Sequence, residues 1–393
     1  MNCTSPTSQG CLPPLGLYIH IPWCSSKCFY CDFFSVATKD AIPQDQLVEA
    51  LLGQLREQRH LLAQRPLGSI FVGGGTPNRL APAAMARLLD GIVGLVALEK
   101  DCEITMEANP GGQQAWRDYR DAGINRLSLG VQSLHDPLLQ AIGREHSRTD
   151  VLRSCHAAQA AGFASINLDL MYGLPHQTIQ QALQDAEEAI ALGSGHLSCY
   201  ALTIEPGTAF GRHPPPCGDD DTSAAMAEGI ADLLARHGFV HYEISAFARP
   251  GLACRHNLNY WTFGDYLGLG PSAHSKLSRL DPKGGLAVWR GRLPASIPHY
   301  LDGQLETRWH QLDDSALLVE FLLNALRVHS GFDIGLFQER TGLSAMLLEE
   351  GLERNRQRGL LVCEGQQIRA TARGWSMLND TLLAFVPHTA THA

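Results

Sequence analysis

Six short apolar segments, each followed by a stretch of helical periodicity, constrain this chain more than anything else in it. GLYIHI, SIFVGGG, CEITMEAN, INRLSLGVQS, ASINLDLMYG and HLSCYALTIE read as strands. Amphipathic helices are expected between them, near residues 45–64, 81–98, 113–122, 149–161 and 178–192. The first carries Leu47, Leu51, Leu55 and Leu62 on one face. Strands that alternate with helices of this length make βαβ units and a parallel sheet. Six units suit a barrel or an open part of one, with polar site residues at the carboxyl ends of the strands.

Beyond the sixth strand the texture changes. GRHPPPCGDDDTS reads as an exposed excursion, followed by a helix over 223–237 and a strand at VHYEISAFA. Past Asn257 the pattern loosens into the Gly-rich loops LGLGPSAHS and DPKGG. From Asp313 three helical stretches, SALLVEFLLNALRV, IGLFQERTG and MLLEEGLERNRQRG, precede the hairpin-like LLVCEGQQIRATARG. That order suggests a mainly helical, winged-helix-like unit. A chain of 393 residues exceeds one ordinary core. The expected division is a flexible N-terminus over 1–15, a barrel over 16–250, a connecting segment over 251–310 and a C-terminal helical domain over 311–386.

One loop carries a metal signal. Cys24, Cys28 and Cys31 stand at C-x3-C-x2-C directly after the first strand. Soft thiolates suit zinc or iron–sulfur clusters. A structural zinc site closes with four ligands, yet no second C-x2-C follows, and Cys102 is distant and alone. Three cysteines fit a [4Fe–4S] cubane with one iron left open for a small molecule. Eleven unevenly spaced cysteines do not make a disulfide framework, and a cluster needs reduced thiolates, so a reducing compartment is expected. The first Lys or Arg is Lys27 and no apolar run precedes it, so neither a secretory nor a mitochondrial signal is expected. No stretch reaches the length of a membrane span. The expected place is the cytoplasm. A net charge of −9 argues against a nucleic-acid partner.

C-x3-C-x2-C with an aromatic residue before the last cysteine resembles the radical S-adenosylmethionine (radical SAM) superfamily. YIHIPWC is similar to its branch of oxygen-independent coproporphyrinogen dehydrogenases and haem chaperones. The resemblance implies an α/β fold, a partial (β/α)6 TIM-like barrel, with a [4Fe–4S] cluster on Cys24, Cys28 and Cys31. It implies that SAM chelates the open iron through its amino and carboxylate groups and receives one electron from the reduced cluster. Gly73-Gly74-Gly75-Thr76-Pro77 matches the family's GGGTP segment at the methionine amino group. MEANP, LGVQS, IGREHS and NLDLMYGLP match flanks that place Glu107, Gln132, Arg144 and Asp169 at SAM sites. Tyr18, Tyr30 and Ala201 are implied there too. Taken singly, each of these polar residues would be a solvated surface group; their positions at successive strand ends put them in one pocket.

Two further places separate the branch's members. The dehydrogenases read C-x3-C-x2-C-x-C, whereas Phe33 follows Asp32 here. His256, Asn257, Tyr260 and Trp261 form HNxxYW, a motif associated with haem in the chaperones. A neutral imidazole is a common axial ligand of haem iron, and Tyr and Trp offer flat apolar surface to a porphyrin. Cys254 is a further candidate iron ligand. The resemblance thus implies a haem carrier that delivers haem to acceptor haemoproteins, with respiratory enzymes as the expected acceptors. Homodimer formation and a peripheral membrane association through those enzymes are among its implications. The dehydrogenase, which removes hydrogen and CO2 from two propionates, stays as the alternative, so whether the chain is an enzyme is left open.

Cys24→Ala, Cys28→Ala and Cys31→Ala are each expected to abolish the cluster's visible absorbance, because no other cysteine lies close enough in sequence to replace the lost thiolate. Iron and sulfide analysis after anaerobic reconstitution checks this. Full iron and sulfide in any of the three variants contradicts it.

Overall fold

A computed structural model describes residues 12–111, 115–280 and 285–386. Six parallel strands run in sequence order: β1 (Leu15–Ile21), β2 (Leu67–Gly74), β3 (Leu98–Ala108), β4 (Arg126–Gln132), β5 (Ser165–Tyr172) and β6 (His196–Ala201). They form the partial barrel that the alternation implies. Helices α1 (Gln44–Gln58), α2 (Pro82–Val93), α3 (Trp116–Asp121), α4 (Arg148–Ala160), α5 (Ile179–Ala191) and α6 (Asp220–Arg236) lie between or after them. Leu47, Leu51 and Leu55 of α1, and Leu62 beyond it, are all buried in the main core with Leu17, Ile19, Val72, Leu127 and Leu168 from the strands. Ser147 and Thr178 cap α4 and α5, each bonded reciprocally with the third helical residue, Asp150 or Gln181. The expected start of the third helix, residues 113 and 114, lies outside the described residues, as do residues 1–11 of the expected flexible N-terminus. Pro13 and Pro14 are tied down: Arg65 donates to the Pro13 carbonyl at 2.7 Å and the Asp265 N–H to that of Pro14 at 2.9 Å.

VHYEISAFA is not one strand. It splits into β7 (Val240–Glu243) and β8 (Ala246–Ala248), the latter antiparallel to β6. The largest departure follows Asn257, where Gly-rich loops were expected. HNxxYW lies in a short helix, α7 (Arg255–Trp261), and LGL ends a strand, β9 (Asp265–Leu269), that pairs in parallel with β1 on the side away from β2. β10 (His274–Leu280), β11 (Leu286–Arg292) and β12 (Arg308–Gln311) then extend the sheet antiparallel, giving the order β12-β11-β10-β9-β1-β2-β3-β4-β5-β6-β8-β7. Glycine hides this strand from a periodicity reading. It is needed at 268, where a Cβ would meet the His274 carbonyl oxygen at 2.1 Å. Most of DPKGG, residues 281–284, lies outside the described residues.

The C-terminal unit has its own core around Phe321, Phe332, Phe337, Leu348 and Ile368, joined by Phe263 and Val288 from the sheet side. It comprises α8 (Asp314–Ala325), α9 (Ile334–Thr341) and α10 (Met346–Gln357), with the hairpin Leu361–Glu364/Gln367–Ala370 pairing to Phe332–Asp333. This is the winged-helix-like arrangement anticipated; two short helices, Ala372–Ser376 and Leu378–Leu383, follow it.

Buried charge pins the added strands. Asp265, at the start of β9, accepts from Lys276 at 3.0 Å, Arg65 at 2.8 Å and the Ser278 N–H at 2.9 Å. Burial alone would raise its carboxyl, but Lys276 and Arg65 hold it below the ordinary carboxylate value. Burial pushes the Lys276 ammonium down to about 8, against the pull of Asp265. Breaking such a pair on one side costs more than the pair contributes, because a charge is left behind. Lys276→Met is therefore expected to lower unfolding free energy by about 3 kcal/mol. Urea titration of the full chain measures this; a loss below about 1 kcal/mol would contradict it.

Candidate functional site

A cavity of about 660 Å³ opens inside the partial barrel, within the range of small-molecule and cofactor sites. Cys24, Cys28 and Cys31 line its mouth with Tyr18, Tyr30 and Phe33, and Phe33 is 61% exposed there. The rest of the lining includes Gly74, Gly75, Thr76, Glu107, Gln132, Arg144 and Asp169, together with His256, Asn257, Tyr260 and Trp261. Two groups of residues distant in sequence thus share one chamber. Ala201 is the exception: it ends β6, exposed and outside the cavity wall.

The cysteine loop is held mainly by backbone. The Gly75 N–H donates to the Ile21 carbonyl at 2.7 Å and the Thr76 N–H to that of Trp23 at 2.8 Å, so GGGTP docks onto the entry to the loop. Gly74 sits at φ 108°, and a Cβ there would meet the His20 ring at 2.6 Å. His20 in turn accepts from the Tyr18 hydroxyl at 3.0 Å and donates from Nε2 to the Phe34 carbonyl at 2.8 Å. On the far side Phe29 packs on Phe210 and against Gly143, and its N–H donates to the Ile142 carbonyl at 3.2 Å.

Among the described residues no three His, Cys, Asp or Glu side chains converge on one ion-sized point. A cubane takes each thiolate at a separate iron, so three cysteines spread round a chamber mouth fit it. Arg144 reaches the same place, donating to Cys28 Sγ at 3.3 Å and Asn109 Oδ1 at 2.9 Å, and it also bonds the Gly130 carbonyl. Its Nε is buried without a partner.

The polar wall comes from strand ends. Gln132 terminates β4 at φ 67°, a left-handed conformation that costs a non-glycine residue about 1–3 kcal/mol, just past a register shift against β5. Glu107 Oε2 accepts the Gly74 N–H at 3.1 Å. Asp169 accepts from Ser128 at 3.1 Å and Asn167 at 2.8 Å. Burial, with Asp169 nearby, pushes the Glu107 carboxyl up to about 8. Burial raises Asp169 as well, opposed by its hydrogen bonds from Asn167 and Ser128. Two carboxyls facing an enclosed space suit a ligand that brings positive charge.

The HNxxYW helix lies against the amino halves of β1 and β2. His256 is fully buried beside Gly16, where a Cβ would meet its ring at 3.2 Å. Its Nδ1 pairs with Ser69 Oγ and its Nε2 with the Tyr260 hydroxyl, both at 2.8 Å, and the ring stacks on Phe71. Burial holds it neutral, with its pKa down to about 3. Both ring nitrogens are thus engaged, so iron ligation by His256 requires Ser69 or Tyr260 to let go. Trp261 carries the Arg327 guanidinium over its ring at 4.3 Å. Cys254 does not face the cavity; it is buried below, donating to Glu103 at 3.4 Å.

Residues the sequence reading passed over also line the chamber: Phe71, Arg126, Ser128, Asn167, Met171, Ser198 and Tyr200. Most were open to inference. Counting back by two from Gln132 gives Gly130, Ser128 and Arg126, and the same step from Asp169 gives Asn167 and Met171.

A radical SAM superfamily model matches residues 18–189, and a HemN C-terminal domain model residues 312–377. With the barrel and the three-cysteine mouth, this defines a radical SAM protein, a class whose cofactors are a [4Fe–4S] cluster and SAM. The chain is 41% identical over 377 residues to the heme chaperone HemW of Escherichia coli (strain K12), covering 95% of this chain and 99% of that one. It is 39% identical over 381 residues to the heme chaperone HemW of Haemophilus influenzae, covering 95% and 98%. At this similarity over nearly the whole length, the chain belongs to the HemW family. Among solved structures, the coproporphyrinogen III oxidase HemN of Escherichia coli matches with a TM-score of 0.80 at 23% identity, covering 95% of this chain and 90% of that one. That likeness is one of fold.

Glu107 gives the site a pH signature. Between the ordinary carboxylate value of 4.5 and about 8 the folded chain holds a proton that the unfolded chain has released. Stability from this group therefore falls as pH rises through that window. Glu107→Gln, which cannot ionise, is expected to melt at the same temperature as the parent near pH 5 and progressively above it towards pH 8. Thermal scans of the ligand-free chain across that range check this, and a constant difference would contradict it.

Proposed function

We propose that this chain is a haem chaperone: it binds haem and transfers it to acceptor haemoproteins, with a [4Fe–4S] cluster and SAM as its cofactors. Near full-length similarity to proteins named heme chaperone HemW carries the reading. Cys24, Cys28 and Cys31 are its cluster ligands. Tyr18, Tyr30, the Gly74-Gly75-Thr76 segment, Glu107, Gln132, Arg144 and Asp169 attend SAM, which would bring a sulfonium cation into the cavity. His256, Asn257, Tyr260 and Trp261 attend haem. Two features of the chain support this division. Phe33 stands where the dehydrogenases carry a fourth cysteine, and HNxxYW sits in the wall of the cavity whose mouth holds the cysteines.

The chain's own residues act chiefly by positioning. Asp169, and Glu107 once a cationic ligand draws the proton from its raised carboxyl, offer negative charge to that ligand, and Arg144 lies beside the Cys28 sulfur. His256 becomes available to iron only when Tyr260 releases Nε2 or Ser69 releases Nδ1, so haem binding begins with that exchange. We take respiratory enzymes as the acceptors, reached by peripheral association with a membrane, and the cytoplasm as the place of action. Among the described residues no helix is long and apolar enough to cross a membrane. A homodimer belongs to the same reading.

Haem titration of the reconstituted chain, and separate incubation with SAM, reductant and coproporphyrinogen, test the proposal. Stoichiometric haem binding without product supports it; product formation overturns it in favour of the dehydrogenase. Within the haem arm, His256→Ala is expected to move the Soret band, because it removes an iron ligand. Trp261→Ala is expected to leave the band in place and weaken affinity by about tenfold, through lost flat contact area. Visible absorbance reads both, and an unchanged spectrum and affinity in His256→Ala would move the ligand elsewhere.

A further inference from the structure

The cavity is lined by a buried cation, Arg126, that no carboxylate meets at hydrogen-bond distance. Arg126 opens β4, is 3% exposed and contributes to the chamber's lining. Its Nε is buried with no hydrogen-bond partner. The nearest opposite charge is Glu103, with its Oε2 4.0 Å away from that Nε. Glu103 is already committed to the start of the HNxxYW helix. Its Oε1 accepts the His256 N–H at 3.0 Å and the Cys254 thiol at 3.4 Å, and its Oε2 accepts the Arg255 N–H at 3.1 Å. Asp169 is a second carboxylate near enough to act on it, but neither carboxylate is hydrogen-bonded to the guanidinium, whose planar fork is matched by a carboxylate.

We infer that Arg126 is the receptor for a carboxylate of the ligand that reaches the cavity floor, and that this carboxylate is a propionate of a tetrapyrrole. The inference rests on the haem reading above. Arg126 stands at the opposite end of its strand from Gln132, with Asp169 between the two. Arg126 and Gln132 are the two ends of β4, so Arg126 lies roughly 20 Å along the strand from the residue nearest the cysteine mouth. A carboxylate held at a cluster on Cys24, Cys28 and Cys31 would sit at the other end of the strand from Arg126. Arg126 and His256 instead border the same Glu103 carboxylate. A propionate on the one therefore brings its macrocycle beside the other. A purely structural role for Arg126, steadying Glu103 under the helix, predicts no preference for a ligand's carboxylate.

Haem and haem dimethyl ester, titrated separately into the reconstituted full chain, distinguish the two. The ester keeps the iron and the ring but has no free carboxylate. The unaltered chain is expected to bind haem about ten- to a hundredfold more tightly than the ester. Arg126→Gln is expected to bring haem down to the ester's affinity and leave the ester where it was, and Arg126→Lys to restore part of the preference. Equal affinities of the unaltered chain for haem and ester overturn the inference without needing a variant. So does an Arg126→Gln variant that weakens both equally, or one that loses SAM affinity and keeps haem. Absence of any haem binding by the unaltered chain is a different result, and it fells the haem reading itself.

Discussion

The cysteine loop has little core of its own and is held largely by backbone hydrogen bonds, two of which fix its entry. Gly75 and Thr76 give their N–H groups to the carbonyls of Ile21 and Trp23. Those donors are free because the second strand ends in glycines that let it come close; a Cβ at Gly75 would meet the Trp23 carbonyl oxygen at 2.7 Å. Once the loop is fixed to that rim, the three sulfurs face the same chamber as the ends of β3, β4 and β5. The parallel sheet supplies the rest, since its carboxyl ends lie side by side and carry Glu107, Gln132 and Asp169 to one wall.

Much of this was legible from residues alone, for a physical reason. Each of the six strands is apolar and bounded by turn residues, and each helix shows its buried face at 3.6-residue spacing, so local pattern and tertiary placement agree. The Leu47, Leu51 and Leu55 stripe packs as its spacing demands. What escaped detection was set by partners far away in sequence. β9 exists because β1 has an open edge, and its glycine at 268 answers to a carbonyl on β10. Read locally, the same glycines mean a loop. VHYEISAFA breaks in two because its middle bonds elsewhere: Ile244 and Tyr242 exchange backbone bonds with Arg327 and His329. Ala201, implied by the resemblance, ends β6 exposed and outside the cavity wall.

The site itself was half legible. The cysteines, Glu107 and Asp169 announce themselves through chemistry at strand ends. His256 announced itself as an open imidazole and proved to be closed, because Ser69 and Tyr260 reach it from a strand and from its own helix. Arg126 announced nothing. Its meaning comes from a missing partner, and a missing partner is visible only once the neighbours are in place.

The stack of Arg327 on Trp261 has a mechanical side. Arg327 belongs to the segment leaving α8, and it also pairs with Glu243 at 3.2 Å. Around it, the seam between the sheet and the C-terminal unit is stitched by the Ile244–Arg327 and Tyr242–His329 backbone bonds. One short helix therefore has its first turn anchored to Glu103 beneath the cavity and its last aromatic ring clasped by that seam. A guest that tilts Trp261 pulls on Arg327, and through it on the joint between the two halves of the molecule. The wall of the chamber and the joint between the sheet and the C-terminal unit thus share one contact, the stack of Arg327 on Trp261.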